Sequence, residues 1–422
     1  MMRILWVKMG GLWPPTSGGR TRSLQIIAEL SKRHSVSIVT THTAGDDPAG
    51  LVDRLPYVER ILSFEYGVAK RGSTAFPAAL AQSWLSRDPV DLWKWRVPSV
   101  RECVDSLVRS GEVDVCVADF LFAVNNVPLN GPTPVVLFEH NVEYLIWKRL
   151  CDIETVSWRR ALLEIEWRKL RSREAAACRN ADLTIAVSDD DCRRLGTLAP
   201  EANITWIPTG VDVDYFAPGI KQERPAHLVF SGSMDWHPNE DAVRYFIADI
   251  LPLIRIDIPD ATFSIVGRNP SDELRSIATA AGVEVTGTLD DIRPALAEAS
   301  VCVVPLRAGS GTRLKIFEAL AMGKAVVSTT LGAEGLTMES GRQFVAADGA
   351  REFADAVVAL LRDSDRRHRI ADEGRAMVMA RHSWAQVAKP FERQCQSAVD
   401  IHGQLGTATR RHPHLSPARS AR

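Results

Sequence analysis

Residues 305–324 read Pro-Leu-Arg-Ala-Gly-Ser-Gly-Thr-Arg-Leu-Lys-Ile-Phe-Glu-Ala-Leu-Ala-Met-Gly-Lys, which joins the end of an apolar strand, a turn of small residues and the start of a helix. The predicted helix carries Arg313, Lys315 and Glu318 in its first turns. A helix N-terminus presents free N–H groups and a positive dipole end, and glycines let an anion approach the backbone. The segment therefore predicts either a site for a diphosphate or a capped surface helix with exposed charges.

Two familiar phosphate-binding motifs do not fit this segment. Residues 309–314 lack the third glycine of the dinucleotide fingerprint, and Lys324 is followed by Ala325 where a P-loop has Ser or Thr. The interpretation of the segment therefore depends on the rest of the chain.

Short apolar runs alternate with longer amphipathic stretches on both sides of this segment, which is typical of βαβ units and a parallel sheet. Downstream of residue 225 the predicted strands are 228–231, 262–266, 283–286, 301–305 and 325–328. Upstream they are 4–7, 36–41, 113–118, 135–139 and 183–187, with a helix starting near Gly19. The chain is therefore predicted to form two α/β domains.

Composition changes mark the predicted boundaries. Residues 206–225 are punctuated by Pro and Gly, as expected for a connection, and the chain beyond Gly403 is basic and poor in apolar residues. The prediction is a first domain over 1–205, a linker over 206–225, a second domain over 226–382, a helix over 383–403 that packs back on the first domain, and a disordered basic tail over 404–422.

Composition also excludes several classes of protein. Lys plus Arg total 51 against 52 Asp plus Glu, so no overall charge favours a nucleic-acid partner. The seven cysteines show no zinc or disulfide spacing, which favours a reducing cytoplasm. Lys8 interrupts the first apolar run too early for a secretory signal, and no run of residues is apolar enough to span a membrane. A cytoplasmic location is predicted, with association at the inner membrane surface left open.

Five segments of the chain are distinctive when taken in order: residues 207–212, 230–239 (Phe-Ser-Gly-Ser-Met-Asp-Trp-His-Pro-Asn), 265–270 (Ile-Val-Gly-Arg-Asn-Pro), 311–323 and 332–336. Together they resemble the GT-B glycosyltransferases, particularly the retaining family numbered four. The resemblance implies two Rossmann-like domains with parallel sheets facing across a cleft, the first for the acceptor and the second for the nucleotide. It also implies that the donor contacts are Gly18, Gly19, Gly232, Arg268, Ser310, Gly311, Thr312, Arg313, Lys315 and Glu318.

The resemblance further implies a catalytic histidine beside the donor sugar, which here corresponds to His140. A histidine after an apolar strand is also often a structural residue with satisfied hydrogen bonds. Glu139 and Glu143 flank it, so we expect a carboxylate to orient its ring, and Asn141 is a second polar candidate.

The chain departs from the family pattern at two places. The first of two glutamates that the family separates by seven residues is replaced by Ser310, and the basic pair after the first strand of the second domain is replaced by residues 233–235 (Ser-Met-Asp). The interpretation is that Arg313 and Lys315, with Gly311 and Thr312, stabilise the leaving diphosphate instead.

Residues 189–191 (Asp-Asp-Asp) contain the Asp-x-Asp pattern that holds a divalent metal in other sugar transferases. Because Ser188 precedes them, the segment also fits a helix cap with acids at the positive end of the dipole. The cap is favoured, so neither a metal nor an organic cofactor is predicted.

Tryptophans and basic residues cluster in the first domain, at residues 93–96, 147–149, 158–160 and 167–169. They fit either a peripheral membrane contact or solvated helices with buried tryptophans.

The predicted function is transfer of a sugar, with retention of configuration, from a nucleotide diphosphate donor to a glycan, glycolipid or small-molecule acceptor in polysaccharide or glycoconjugate biosynthesis. Two alternatives are a sugar-nucleotide epimerase of the same fold and a degenerate sugar-nucleotide-binding subunit, the latter motivated by Ser310.

Overall fold

The computed structural model describes residues 1–15, 17–69, 75–308, 314–334, 336 and 338–411. The chain divides into two compact units, of which the first comprises Met1–Pro208 with the chain from Ala388 onward, and the second Thr209–Val387. Both units are α/β, which confirms the predicted two-domain Rossmann-like architecture.

The first domain is built on seven parallel strands in the order β3-β2-β1-β4-β5-β6-β7. The strands are β1 Arg3–Lys8, β2 Ser35–His42, β3 Arg60–Glu65, β4 Val115–Asp119, β5 Val135–Phe138, β6 Leu183–Ala186 and β7 Ile204–Trp206. The helices are α1 Gly18–Ser31, α2 Pro48–Arg54, α3 Phe76–Trp84, α4 Val90–Trp93, α5 Pro98–Arg109, α6 Glu143–Ile153, α7 Ser157–Asn180 and α8 Asp189–Leu198, with a 3-10 turn at Leu121–Asn126.

The second domain is built on six parallel strands in the order β10-β9-β8-β11-β12-β13. The strands are β8 His227–Ser231, β9 Thr262–Val266, β10 Glu284–Gly287, β11 Val301–Val304, β12 Ala325–Ser328 and β13 Val345–Ala346. The helices are α9 His237–Tyr245, α10 Leu251–Asp257, α11 Asp272–Ala280, α12 Arg293–Glu298, α13 Leu314–Ala321, α14 Ala350–Arg362, α15 Ser364–Arg381 and α16 Trp384–Arg411.

Apolar strands cross the centre of each sheet because both of their faces are covered by helices. Every residue of β4, β5 and β6 is buried, as is every residue of β8, β11 and β12. Between α9 and α10 a π-helical turn, Phe246–Ile250, places Phe246, Ile247 and Ile250 in the core. The strand order reverses beside β1 in one sheet and beside β8 in the other, and crevices form at the carboxyl ends of strands at such points.

The last helix contributes to the first domain from Ala388 onward. Phe391 stacks on Trp6 with ring centroids 5.3 Å apart, and Arg33 pairs with Glu392 at 2.6 Å. The helix begins at Trp384 and ends at Arg411, so it extends beyond Gly403, where the sequence predicted the tail to begin. Isolated glycines are tolerated within a helix, which is why Gly403 does not end it.

The segment predicted as a linker packs mostly with the second domain. Val211 is buried in that core and its N–H donates to the carbonyl of His382 at 2.7 Å. The Pro and Gly residues around Val211 are the reason why the sequence pattern predicted a linker between the domains.

Candidate functional site

Polar side chains gather at the carboxyl ends of β1, β4 and β5 in the first domain. The Asp119 carboxylate accepts hydrogen bonds from Trp6 Nε1 at 2.7 Å, Lys8 Nζ at 3.0 Å and His140 Nε2 at 2.8 Å. All four residues are buried. Since a carboxylate only accepts, Nε2 of His140 carries the proton.

The other nitrogen of the His140 ring is also engaged. Arg22, on α1, places Nη1 3.2 Å from Nδ1, which therefore acts as the acceptor. The ring stacks on Phe120 at a centroid distance of 4.2 Å and lies 4.4 Å from Phe138. His140 is thus a neutral imidazole held at both nitrogens and packed against two aromatic rings.

Electrostatics agree with a neutral ring. Burial lowers the pKa of His140 to about 3, although the Asp119 charge opposes that shift. Burial also lowers the pKa of Arg22 to about 10 and that of Lys8 below its usual value. The pKa of Asp119 is well below its usual range, because Lys8 and His140 outweigh the effect of burial. The cluster therefore gathers Lys8 and Arg22 with one carboxylate, that of Asp119, around a neutral ring.

The glycines predicted to approach the donor begin α1. Ser17 is the N-cap, and its hydroxyl accepts from the N–H of Arg20 at 3.3 Å. A Cβ on Gly19 would lie 2.8 Å from Cε2 of Phe120, so a larger residue would displace the ring that stacks on His140. Gly18 is exposed at the same helix end. The structure thus brings Gly19 and His140 together.

The carboxylates that flank His140 in sequence belong to a separate buried cluster, which corrects the expectation that one of them orients the ring. Glu174 on α7 accepts from the N–H groups of Glu143 and Tyr144 at 2.8 and 3.0 Å, so it caps α6. Burial raises the pKa of Glu174 to about 8 and that of Glu143 to about 7. The pKa of Glu139 is well above its usual value because it is buried beside these carboxylates.

In the second domain, the predicted donor residues meet at the carboxyl end of β8. Nζ of Lys315, near the start of α13, donates to Oδ1 of Asn239 at 2.7 Å and lies 3.9 Å from the Phe230 ring centroid. A Cβ on Gly232 would lie 2.8 Å from that Nζ and 2.7 Å from the Asn239 amide nitrogen. Lys315 therefore brings a cation to the turn after β8, where the family has a basic pair that this sequence lacks.

Arg268 lies on the neighbouring turn, after β9. Its Nε donates to the hydroxyl of Ser233 at 2.8 Å, while Asn239 donates to the Ser233 carbonyl at 2.8 Å. Gly267 packs so tightly that a Cβ would overlap the Gly232 carbonyl oxygen. The two turns form one compact surface, which we call the β8–β9 cradle (residues 232–233, 239, 267–268 and 315).

Glu318 lies one turn after Lys315 on α13. Burial raises its pKa to about 7, while the Lys315 charge opposes the shift, and the residue keeps some accessible surface. Ser310, Gly311, Thr312 and Arg313 lie outside the described residues.

The Asp189–Asp191 segment forms a helix cap. Ser188 is the N-cap of α8, and its hydroxyl accepts from the N–H of Asp191 at 3.1 Å. Asp190 pairs with Arg194 at 2.6 Å. Among the residues that the structure describes, no group of three or more His, Cys, Asp or Glu side chains is arranged to hold a metal ion.

The tryptophan-rich segments differ in exposure. Trp147 is buried and donates to Asp91 at 2.9 Å, whereas Trp158 is 62% exposed. None of the helices in the described ranges is long and apolar enough to cross a membrane.

Sequence reasoning missed Lys8, Arg22, Asp119 and Asn239. Lys8 and Asp119 each end a buried strand, and the rule that sites form at the carboxyl ends of parallel strands could have identified them. Arg22 and Asn239 gave no such signal, because helix packing alone brings them to these strand ends.

Comparisons with known proteins agree with this architecture. A family model described as glycosyl transferases group 1 matches residues 225–363, and one described as glycosyltransferase family 4 matches residues 16–215. The chain is 32% identical to a phosphatidyl-myo-inositol mannosyltransferase of Mycobacterium tuberculosis, over 53% of this chain and 62% of that relative. It is 27% identical to a GDP-mannose-dependent alpha-(1-6)-phosphatidylinositol monomannoside mannosyltransferase of the same organism, over 63% of this chain and 80% of that relative.

A solved structure shares the fold. Anabaena HepE in complex with UDP and glucose superposes with a TM-score of 0.64 and 15% identity, covering 94% of this chain and all of that one.

Proposed function

Because this chain belongs to the group 1, family 4-like glycosyltransferases of the GT-B fold, we propose that it moves a hexose from a nucleoside diphosphate sugar to an acceptor hydroxyl. The acceptor would be a glycan or glycolipid of a polysaccharide or glycoconjugate pathway, since the mycobacterial relatives are named for mannosyl transfer to phosphatidylinositol lipids. We also propose that the product keeps the anomeric configuration of the donor, which follows from the family resemblance alone.

The observation that carries the proposal is the β8–β9 cradle. It lies where the strand order reverses in the second sheet, and open α/β sheets bind ligands at such points. Gly232 and Gly267 let the two turns pack against each other, and Lys315 supplies a cation beside them. A bound diphosphate is stabilised by fixed positive charge of this kind.

The chemical step develops negative charge on the leaving diphosphate as the glycosidic bond breaks. Fixed cations stabilise that charge most effectively when they need no reorganisation. Lys315 is fixed by Asn239 and Phe230, and Arg268 by Ser233, so both side chains are already oriented. Glu318 lies on the same helix as Lys315 and is the candidate acceptor for ribose hydroxyls. This arrangement supports a reaction that requires neither a metal ion nor an organic cofactor.

His140 is proposed to act as a neutral positioning group in the first domain. Both of its nitrogens are occupied, by Asp119 and Arg22, so the ring cannot take a proton without breaking a hydrogen bond. It fixes the ends of β4 and β5 and the guanidinium of Arg22. His140 would therefore contribute to turnover by holding its neighbours in place, and it would not act as a general base toward the acceptor hydroxyl.

We further propose a cytoplasmic protein that contacts the inner membrane surface without spanning it. The exposed Trp158 and the lipid acceptors named for the mycobacterial relatives support this location.

One experiment separates the proposed transferase from the two alternatives. The full chain is incubated with UDP-, GDP- and ADP-hexoses in EDTA without acceptor, and products are resolved by chromatography. Slow release of nucleoside diphosphate and free sugar from one donor is expected, because water replaces the acceptor. An epimerised nucleotide sugar would favour the epimerase, and a donor that binds but stays intact would favour the binding subunit.

A further inference from the structure

An apolar groove of about 1010 Å³ opens on the surface of the first domain, between α3, α4, α6 and α7. Val90 and the buried Trp147 line it, together with Leu150, Leu162 and Leu163. This volume is at the upper end of the roughly 300–1,000 Å³ typical of small-molecule sites. The groove is large enough for a ligand with a long apolar part.

The surface around the groove is also apolar. On α7, Trp158, Leu162 and Ile165 follow helical spacing, with Trp158 62% and Ile165 47% exposed. At the end of α3, Trp84 is 46% and Leu85 93% exposed. Trp84 lies beside α7, because its indole nitrogen donates to Glu166 at 3.2 Å. Several large exposed apolar side chains beside an apolar groove are typical of a site of interaction with a membrane or a partner.

Two arginines of α7 lie at the groove. Arg159 lines it, and Arg160 is the next residue on α7. Neither guanidinium pairs with a carboxylate in the described part of the chain, although Arg159 lies 5.3 Å from the Trp158 ring centroid. Glu154 and Glu166 also line the groove, but their carboxylates accept from the N–H groups of Val156 and Val90. The two exposed guanidinium groups are thus available to an anionic partner, whereas the two carboxylates are already held by backbone N–H groups.

We propose that this groove receives the hydrocarbon tail of an anionic lipid drawn from a membrane, with Arg159 and Arg160 against its headgroup. An apolar cavity, exposed tryptophans and adjacent arginines together match a lipid–water interface, where aromatic rings and basic side chains meet headgroups. Helix α6, which begins three residues after His140, contributes Trp147 and Leu150 to the groove.

This inference deepens the membrane contact of the proposed function by giving it a site and a ligand class. Its tests use no sugar transfer, so it can fail while the transferase assignment stands.

The first test is co-sedimentation of the full chain with vesicles of phosphatidylcholine, alone or mixed with phosphatidylglycerol. Binding is expected only to the mixed vesicles. Arg159→Ala combined with Arg160→Ala should weaken binding by about 25-fold, at about fivefold per charge near an anionic surface. Leu162→Asp should weaken it by about tenfold or more, because a carboxylate replaces an apolar side chain that lines the groove.

Ile256→Asp provides the matched control, since Ile256 is 73% exposed on α10 of the second domain. It should bind vesicles like wild type. Equal binding by Leu162→Asp and wild type would overturn the proposal, as would equal binding to both vesicle types. A chain that ignores vesicles but self-associates through a contact broken by Leu162→Asp would identify a second copy as the occupant, which also overturns it.

The second test guards against misfolding of the groove variant. Trp158 is exposed, so Trp158→Phe should leave the melting temperature unchanged. Vesicles with brominated acyl chains should quench the fluorescence of wild type more than that of Trp158→Phe. Identical quenching in the two proteins would show that the tail does not reach this groove.

Discussion

His140→Gln removes a titrating group while preserving its hydrogen bonds. A glutamine amide can donate to Asp119 and its carbonyl can accept from Arg22, as the neutral imidazole does. We therefore expect a variant that folds, and whose free energy of unfolding differs from wild type in a way that depends on pH.

The sign and size of this difference in the free energy of unfolding follow from the lowered pKa of His140. Burial lowers the pKa of His140 from 6.5 to about 3, so below about pH 6.5 the unfolded chain binds a proton that the folded chain does not. The contribution of His140 is complete above that pH and is lost as pH falls towards 3. At about 1.4 kcal/mol per pH unit, wild type should lose about 2 kcal/mol more than His140→Gln between about pH 7.5 and 5.0.

Urea unfolding followed by tryptophan fluorescence measures this difference. Of the 11 tryptophans, all but Trp236 and Trp384 belong to the first domain, so the signal reports mainly on the unit that contains His140. His368→Gln, an exposed position on α15, is the matched control and should parallel wild type at every pH.

Parallel pH dependence in wild type and His140→Gln would refute the assignment of a buried neutral ring. A turnover profile with an inflection near pH 6.5 that disappears in His140→Gln would also refute it, because a neutral positioning group does not titrate in that range.

Three further perturbations test separate parts of the structure. Glu139→Gln should raise the free energy of unfolding, and this gain should grow from about pH 5 to 8.5, because ionisation of a buried carboxyl with a raised pKa destabilises the folded wild type. Glu65→Gln is the exposed control, and a gain that shrinks as pH rises would contradict this prediction. Ser188→Ala should lower the free energy of unfolding by about 1 kcal/mol in thermal or urea unfolding, because it removes the cap of α8. Turnover of the donor by wild type should survive EDTA, and activity that requires added magnesium or manganese would contradict the assignment of residues 189–191 to a helix cap. Gly267→Ala should weaken donor binding in a calorimetric titration, because its methyl group would overlap a backbone carbonyl of the cradle. Gly45→Ala, where the added methyl group meets open space, should bind the donor like wild type. Equal donor affinities of Gly267→Ala and wild type would show that the cradle does not bind the donor.

Much of the fold could be predicted because the central strands are apolar on both faces. The runs predicted at 262–266 and 325–328 coincide with β9 and β12. The strands that were missed are β3, which is only partly buried, and β7 and β13, which have three and two residues. Such edge strands bury too little surface to show a clear apolar pattern.

Site residues could be predicted only where the residue type and its position in a strand–turn–helix segment indicated a ligand contact. The strand–turn–helix at 305–324 indicated Lys315, and the structure brings its ammonium to Gly232. The partner of His140 was not predictable from its neighbours, because Asp119 reaches it across adjacent strands. Contacts of this kind depend on strand order, which local sequence patterns do not encode.

Calorimetric titration of UDP, GDP and ADP into the full chain in EDTA tests the central claim, that the β8–β9 cradle binds a nucleoside diphosphate. One nucleotide should bind wild type, and Lys315→Met should weaken it about 10- to 150-fold, the equivalent of about 1.5–3 kcal/mol for a charge-assisted contact. Lys221→Met, an exposed position that pairs with Glu298 at the surface, should bind like wild type. Equal affinity in Lys315→Met, or no binding of any nucleotide to wild type, would contradict the account.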